Sequence, residues 1–362
     1  MKFVHMSDIR LGLHSESGRR WGKERVVEVK SAFEKALGSA EAQGASLVLI
    51  SGGLFGHRPV TTELSEANAI FSAHPGLTFV VIGGVTDPVR KTSPVRSFHW
   101  AENVHYVLSE EPVKIHLPGL HAEIYAVSAG ENIFPAAELL AFYENDAEKR
   151  EDTAVALLCE PDAKKAAAFS GSGFSYVALG GSRTKAVAAK DKAFYAGGLE
   201  AENMTDTGDH GYILGEIQDA TGVLLRTEFV PFTSVTYVPL KIKVDPSIDA
   251  SRLEELTAEE IEKRGTANIY RIHIVGSRKP GSDFFMPRIR EKYRIQEILD
   301  ESEPVYDFDR LYEAHTQDMI GYYISQLTRG GGEMSSLDKK AMFYGIDALI
   351  KTADKPVPEA NE

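Results

Sequence analysis

"LISGGLFG", Leu49 to Gly56, is an apolar strand that runs straight into a glycine turn. In α/β proteins, ligands and reacting groups gather just beyond the C-terminal ends of such strands. Here that place falls on Gly52 and Gly53, and a glycine has no side chain with which to bind or react. The stretch therefore predicts a sheet whose strand end has the layout of a site without its chemistry.

The segments on either side support the α/β reading. Phe3 to Met6 and Thr78 to Ile82 are strand-like, and Glu63 to His74 reads as a helix. Glu24 to Ala42 places Val26, Val29, Phe33, Ala36, Leu37 and Ala40 on one helical face, which completes a βαβαβ order. Closely spaced strands follow at Val104 to Leu108, Val113 to Leu117 and Glu123 to Val127. A helix is expected near Pro135 to Ala147, then strands at Thr153 to Leu158 and Ser175 to Leu179. Helices that bracket sheets on both sides predict a layered sandwich with its loops gathered at one end.

Gly211 to Ile217, Val223 to Pro231 and Thr236 to Val244 read as a meander closing a domain over residues 1–244. "VDPSIDAS" is the expected boundary, with Pro246 in its turn. Arg252 to Arg264 as a helix and "ANIYRIHIVG" as a strand predict a small α+β module over 245–303. The remainder, 304–362, reads as two helices, Asp307 to Thr328 and Ser335 to Thr352, separated by Gly330, Gly331 and Gly332.

A chain of 362 residues has room for about two domains. Its net charge of −13 argues against a surface that coats nucleic acid, because affinity for phosphates scales with the cations set against them. "SGRRWGKER", Ser17 to Arg25, is the densest local basic stretch, with Trp21 among the cations; it reads either as a DNA-facing patch or as a solvated helix start. The sequence has no apolar run near the ~20 residues that span a bilayer and no signal-like opening, and it has one cysteine, Cys159. A cytoplasmic protein without membrane contact is expected.

Five segments, read together, resemble the calcineurin-like metallophosphoesterases, and more narrowly the SbcD-type DNA-repair nuclease subunits and their YhaO-like relatives. "VHMSDIRLG" resembles a D-x-H-L-G block, "ISGGLFG" a G-D-x-F-D block and "VIGGVTDP" a G-N-H-D-P block. "ALLCEPD" resembles the strand ending in a ligand His, and "YVALGGSRTK" the block Y-V-A-L-G-H-x-H-K. "FYAGGLEAENMTDTGDHGYILGEI" resembles the P-G-S-L-E…G-x-x-G-Y block that follows in SbcD-type chains, and the terminal "KKAMFYGIDALI" is YhaO-like. The resemblance implies an α/β/β/α sandwich of the calcineurin-like type with a small capping domain and C-terminal helices.

It also implies two Mn²⁺- or Mg²⁺-like ions held at strand ends, activating water for attack on a phosphodiester. The ligand positions are largely lost. Asp8 is kept, but the His two residues on is Arg10 and the bridging Asp is Gly53. The Asn falls on Val85, or on Gly83 or Gly84 in a shifted register, and the transition-state His on Thr86, whereas the next Asp is kept as Asp87. The strand-end His is Cys159, and the last His pair is Gly181 and Arg183. Such a set implies no resident metal and no catalytic residue, since Gly and Val offer no donor and arginine stays protonated. Mn²⁺ enters only under a competing reading: a phosphodiesterase or DNA exonuclease with an atypical set such as Asp8, Asp87, His57 and backbone carbonyls.

Two readings of the arginines stay open. Arg10 and Arg183 either bind an anion such as a phosphate, or one of them pairs with Asp8 to satisfy a buried carboxylate. Cys159 is expected to face the same pocket, as an inert thiol or a reactive one. Thr86 and Ser182 would be nucleophiles only beside a base. His5, His14, His57, His99, His105, His116, His121 and His210 form no H-x-H, H-x₃-H or H-E-x-x-H pattern and are expected at the surface or in loops. The resemblance finally implies a homodimer and a partner, an SbcC-type coiled-coil ATPase docked on the C-terminal helices.

Overall fold

The structure, a computed structural model, describes residues 1–13, 16–130, 136–148, 152–206, 208–328 and 335–353. The expectations placed on His14, Pro135, Gly330, Gly331 and Gly332 lie outside these residues. The chain divides into two units, Met1–Tyr237 and Val238–Glu362.

The first unit runs β1 (Lys2–Met6), α1 (Gly22–Ala42), β2 (Leu47–Ile50), α2 (Thr61–Ser72), β3 (Thr78–Ile82), β4 (Val104–Val107), β5 (Val113–Leu117) and β6 (Ala122–Val127). It continues with α3 (Ala136–Glu144), β7 (Thr153–Cys159), α4 (Ala163–Ala166), β8 (Tyr176–Gly180), β9 (Ala186–Ala189), β10 (Ala193–Tyr195), β11 (Gly211–Ile217) and β12 (Leu224–Pro231). Two six-stranded mixed sheets result, ordered β12-β11-β1-β2-β3-β4 and β5-β6-β7-β8-β10-β9.

Period-2 alternation decides which way each strand faces. In β2, Leu47 and Leu49 join Phe3, Val80, Ile124, Val155 and Tyr176 in the core between the sheets. Val48 and Ile50 point the other way, into a second core with Phe33 and Leu37 of α1 and Leu64 and Phe71 of α2. A third core packs Tyr125, Leu158 and Val177 beneath Leu139 of α3 and Phe169. Helix, sheet, sheet and helix thus form four layers. The neighbouring strands β1, β2 and β3 are parallel, as are β6, β7 and β8, so their C-terminal loops gather at one end of each sheet.

The second unit holds β13 (Tyr237–Val244), α5 (Ala250–Arg264), β14 (Ile269–Arg278), α6 (Pro287–Lys292), β15 (Arg294–Asp300) and β16 (Glu303–Pro304). β13 does not close the first unit's meander. It borders β14 in a sheet of its own, ordered β13-β14-β15 with β16 on β14, and the division falls at Tyr237 rather than after Val244. Leu240, Ile242 and Val244 bury their face with Leu253, Ile261, Ile272 and Ile274.

The expected helix Asp307 to Thr328 is two helices, α7 (Phe308–Ala314) and α8 (Met319–Thr328). Asp307 caps the first by accepting the Arg310 N–H at 3.1 Å. Asp318 starts the second by accepting the Ile320 N–H at 2.9 Å, which breaks the run. In α9 (Ser336–Ala353), Asp338 N–H donates to Ser335 Oγ at 3.2 Å while Ser335 N–H donates to Asp338 Oδ2 at 3.2 Å, a reciprocal capping box. The apolar stripes of these helices bury Ile320, Ile324, Met342 and Ile346 against one another. Tyr312, Met319, Tyr322, Leu337 and Tyr344 stay exposed. Among the described residues no helix is long and apolar enough to cross a membrane.

Candidate functional site

The loops after β1, β2 and β3 are laced together by their backbones. Asp8 N–H donates to Gly52 O at 3.0 Å, Arg10 N–H to Gly53 O at 2.9 Å and Leu11 N–H to Leu54 O at 2.8 Å. Asp8 and Arg10 adopt left-handed backbone, with φ of 49° and 62°. Non-glycine residues held there cost on the order of 1 kcal/mol each and persist where the surroundings over-determine them.

Asp8 is 6% exposed, and its carboxylate is fully engaged. Arg10 donates Nε and Nη2 to Oδ1, at 3.0 and 2.8 Å, and Ser7 donates its hydroxyl to Oδ2 at 2.8 Å. Of the two arginines considered from sequence, Arg10 is the one that takes Asp8.

Arg183 turns elsewhere. Its Nε donates to Asp206 Oδ2 at 2.8 Å, its Nη2 to Glu200 O at 2.7 Å, and Nη1 stands 3.4 Å from Glu202 Oε2. Its charge ties down the acidic loop that precedes β11.

Asp87 is the hub of the site. Oδ1 accepts the N–H groups of Gly53 at 2.9 Å and Gly84 at 2.8 Å, and Oδ2 accepts Phe55 N–H at 3.0 Å. Two strand-end turns thereby form a nest of backbone donors around a carboxylate supplied by the chain itself. Burial pushes the Asp87 carboxyl above its usual range; the three N–H donors oppose that shift and the charge of Asp8 adds to it.

The turns meet backbone to backbone. A Cβ on Gly52 would lie 2.7 Å from Gly84 Cα, and one on Gly84 would lie 2.6 Å from Gly53 N. Gly53, at φ +69°, would press a Cβ to 2.8 Å from Asp8 Oδ1. The glycines of the opening stretch are therefore there for contact: the volume a ligand would occupy is filled by peptide.

The other predicted positions line this cluster or leave it. Cys159 is buried and close to Gly181, whose Cβ would come 3.2 Å from its Sγ. Burial first, then the negative charge of Asp8, pushes the Cys159 thiol up to about 12, which keeps it protonated and inert. Val85 is exposed, and the Thr86 hydroxyl donates to Phe55 O at 2.9 Å as a turn bond. The Ser182 hydroxyl donates to Thr184 O at 3.0 Å. His57 Nε2 pairs with Glu63 Oε1 at 3.1 Å, with 42% of its side chain exposed.

Two histidines expected at the surface are core residues. His5 is fully buried between Ser51 Oγ, 2.8 Å from Nε2, and Tyr176 Oη, 2.9 Å from Nδ1; burial lowers its pKa to about 3. His210 is 3% exposed beside Gly198 O. In the basic stretch, Trp21 and Arg25 are buried as well, with Arg25 donating to Glu28 at 2.9 Å, so the exposed cations there are Arg19, Arg20 and Lys23.

The donors do not suit the two-metal centre that the resemblance implies. A divalent pair needs several oxygens or nitrogens per ion; Gly53, Val85 and Gly181 supply no side-chain donor, Asp8 is held by a guanidinium, and Asp87 is saturated by N–H groups. No family model matches the chain, and no curated protein matches it.

Proposed function

We propose that the chain is a catalytically inactive SbcD/YhaO-like subunit of calcineurin-like architecture, and that it serves as the scaffold partner of an SbcC-type coiled-coil ATPase. The motif resemblance supports the family. One observation supports the loss of catalysis: the Asp87 carboxylate sits within a nest of Gly53, Phe55 and Gly84 N–H groups, where interlocked glycine turns leave no donor set for metal. In this reading residues 304–362 carry the docking surface, on the α7–α9 side that exposes Tyr312, Met319, Tyr322, Leu337 and Tyr344. A homodimer in the cytoplasm belongs to the same reading, with DNA contact limited to the local cations Arg19, Arg20 and Lys23.

Two measurements test it. Purified protein in Mn²⁺ is expected to leave phosphodiester substrates and DNA uncut; Mn²⁺-dependent cleavage abolished by Asp8→Ala would overturn the inactive reading. Truncation after Glu303 is expected to abolish co-purification with the ATPase while residues 1–237 stay folded. An ATPase still captured by the truncated chain would place the interface elsewhere.

A further inference from the structure

At the opposite end of β7 from Cys159, a different set of side chains converges. His116 in β5 lies directly across from Glu123 in β6, so both project from the same face of the hairpin. Asp152 precedes Thr153, which pairs with Ala122 and donates its N–H to His121 O at 2.9 Å. One ligand atom from each of His116, Glu123 and Asp152 lies within 4.8 Å of the other two, the one such group among the described residues. His116 Nδ1 is 3.5 Å from Asp152 Oδ2, and His121 Nδ1 is 4.0 Å from Asp152 Oδ1.

We infer that His116, Glu123 and Asp152, with His121 at the rim, form a binding site for a divalent transition ion of the Zn²⁺ type. Two imidazoles and two carboxylates match the ligand preference of Zn²⁺. Bonds of about 2.0–2.2 Å in a tetrahedron put neighbouring ligand atoms roughly 3.4 Å apart, a spacing His116 and Asp152 already have.

Burial suits the chemistry. Glu123 is 1% exposed and fixed by the Tyr125 hydroxyl, which donates to Oε2 at 3.2 Å, while the His116 side chain is 29% and that of Asp152 19% exposed, leaving an entry path. Lys114, the competing cation, is drawn to Asp146 at 2.7 Å and stands 3.6 Å from Glu123 Oε1. The ion would pin the β5–β6 hairpin to the start of β7. The ligands come from two strands and a distant loop, so no H-x-H or H-x₃-H spacing announces them.

The test uses the full chain stripped with EDTA and titrated with Zn²⁺ in competition with a chelating indicator. One Zn²⁺ per chain is expected, with affinity at least about 10-fold weaker in both His116→Ala and the near-isosteric Asp152→Asn. Asp8→Ala should bind as the wild type does, which separates this site from the glycine-filled one. Co²⁺ loading gives a second readout: the visible bands of a four- or five-coordinate ion in the wild type, lost in Asp152→Asn. Absence of Zn²⁺ uptake by the wild type, wild-type affinity in both variants, or loss of uptake in Asp8→Ala would each overturn the inference.

Discussion

Asp87 Oδ1 accepts the Gly53 N–H at 2.9 Å, across 34 residues of sequence, and so welds the turn after β2 to the turn after β3. The bond sets the strength of the whole cluster, because the same oxygen also takes Gly84 N–H and its partner oxygen takes Phe55 N–H. Asp87→Ala should strand three buried donors and cost about 3 kcal/mol or more in chemical denaturation. Asp87→Asn keeps one accepting oxygen for Gly53 and Gly84 but turns an NH₂ toward Phe55 N–H, so its cost should be smaller, about 1–3 kcal/mol. Equal stability for all three proteins would contradict the hub role.

Returning a carboxylate to the turn is expected to fail. Gly53→Asp needs an L side chain at φ +69° and a Cβ 2.8 Å from Asp8 Oδ1, with a second negative charge beside the first. The variant should melt lower, by about 2 kcal/mol or more, and acquire neither Mn²⁺ binding nor nuclease activity. Stoichiometric Mn²⁺ uptake by Gly53→Asp would show that the glycine turns open readily.

Arg10 and Arg183 should separate in a mutant cycle. Arg10→Ala leaves the buried Asp8 carboxylate with Ser7 as its one remaining side-chain donor, at a cost of about 3 kcal/mol, and adding Asp8→Asn should recover part of that loss. Arg183→Ala releases Asp206 instead, so its effect should add to that of Asp8→Asn without coupling. Strong coupling between Arg183 and Asp8 would reverse the assignment of partners.

Acid should weaken the fold through His5. The unfolded imidazole takes a proton near pH 6.5 and the buried one only near 3, so below pH 6.5 the unfolded chain binds a proton that the native chain refuses. Stability from this residue is complete above pH 6.5 and falls by up to about 1.4 kcal/mol per unit until the native imidazole itself titrates. Asp87, whose native pKa is raised, works in the opposite sense, since its native carboxyl takes up a proton before the unfolded one does. Urea denaturation between pH 7 and 4 should show a flatter profile for His5→Gln than for the wild type; identical slopes would remove His5 as the cause.

The strands of the layered unit were legible because apolar runs such as Leu47–Ile50 are buried on both faces, and the α1 stripe because its spacing is helical. Pairing was less so. β13 alternates buried and exposed residues in the same way whichever sheet it joins, and the local pattern names the buried face but no neighbour. The break at Asp318 was written in a capping residue, yet the apolar period continues across it. At the site, the loss of ligand residues could be read directly, whereas the partner of Asp8 could not: Arg10 is two residues away and Arg183 depends on where the 200–206 loop lies. Nor could the part played by Asp87, whose acceptors meet N–H groups that every residue but proline carries.

The contact between Gly52 and Gly84 has an evolutionary side. Two turns that rest on each other's bare backbone form a ratchet: any side chain returned to one of them meets the other at 2.7 Å or less. A lineage that has taken this step cannot regain its ligands one substitution at a time, since each single reversion lowers fitness before any metal can bind. What stays open to selection is the outside of the molecule, and change there can accumulate without passing back through a working catalyst.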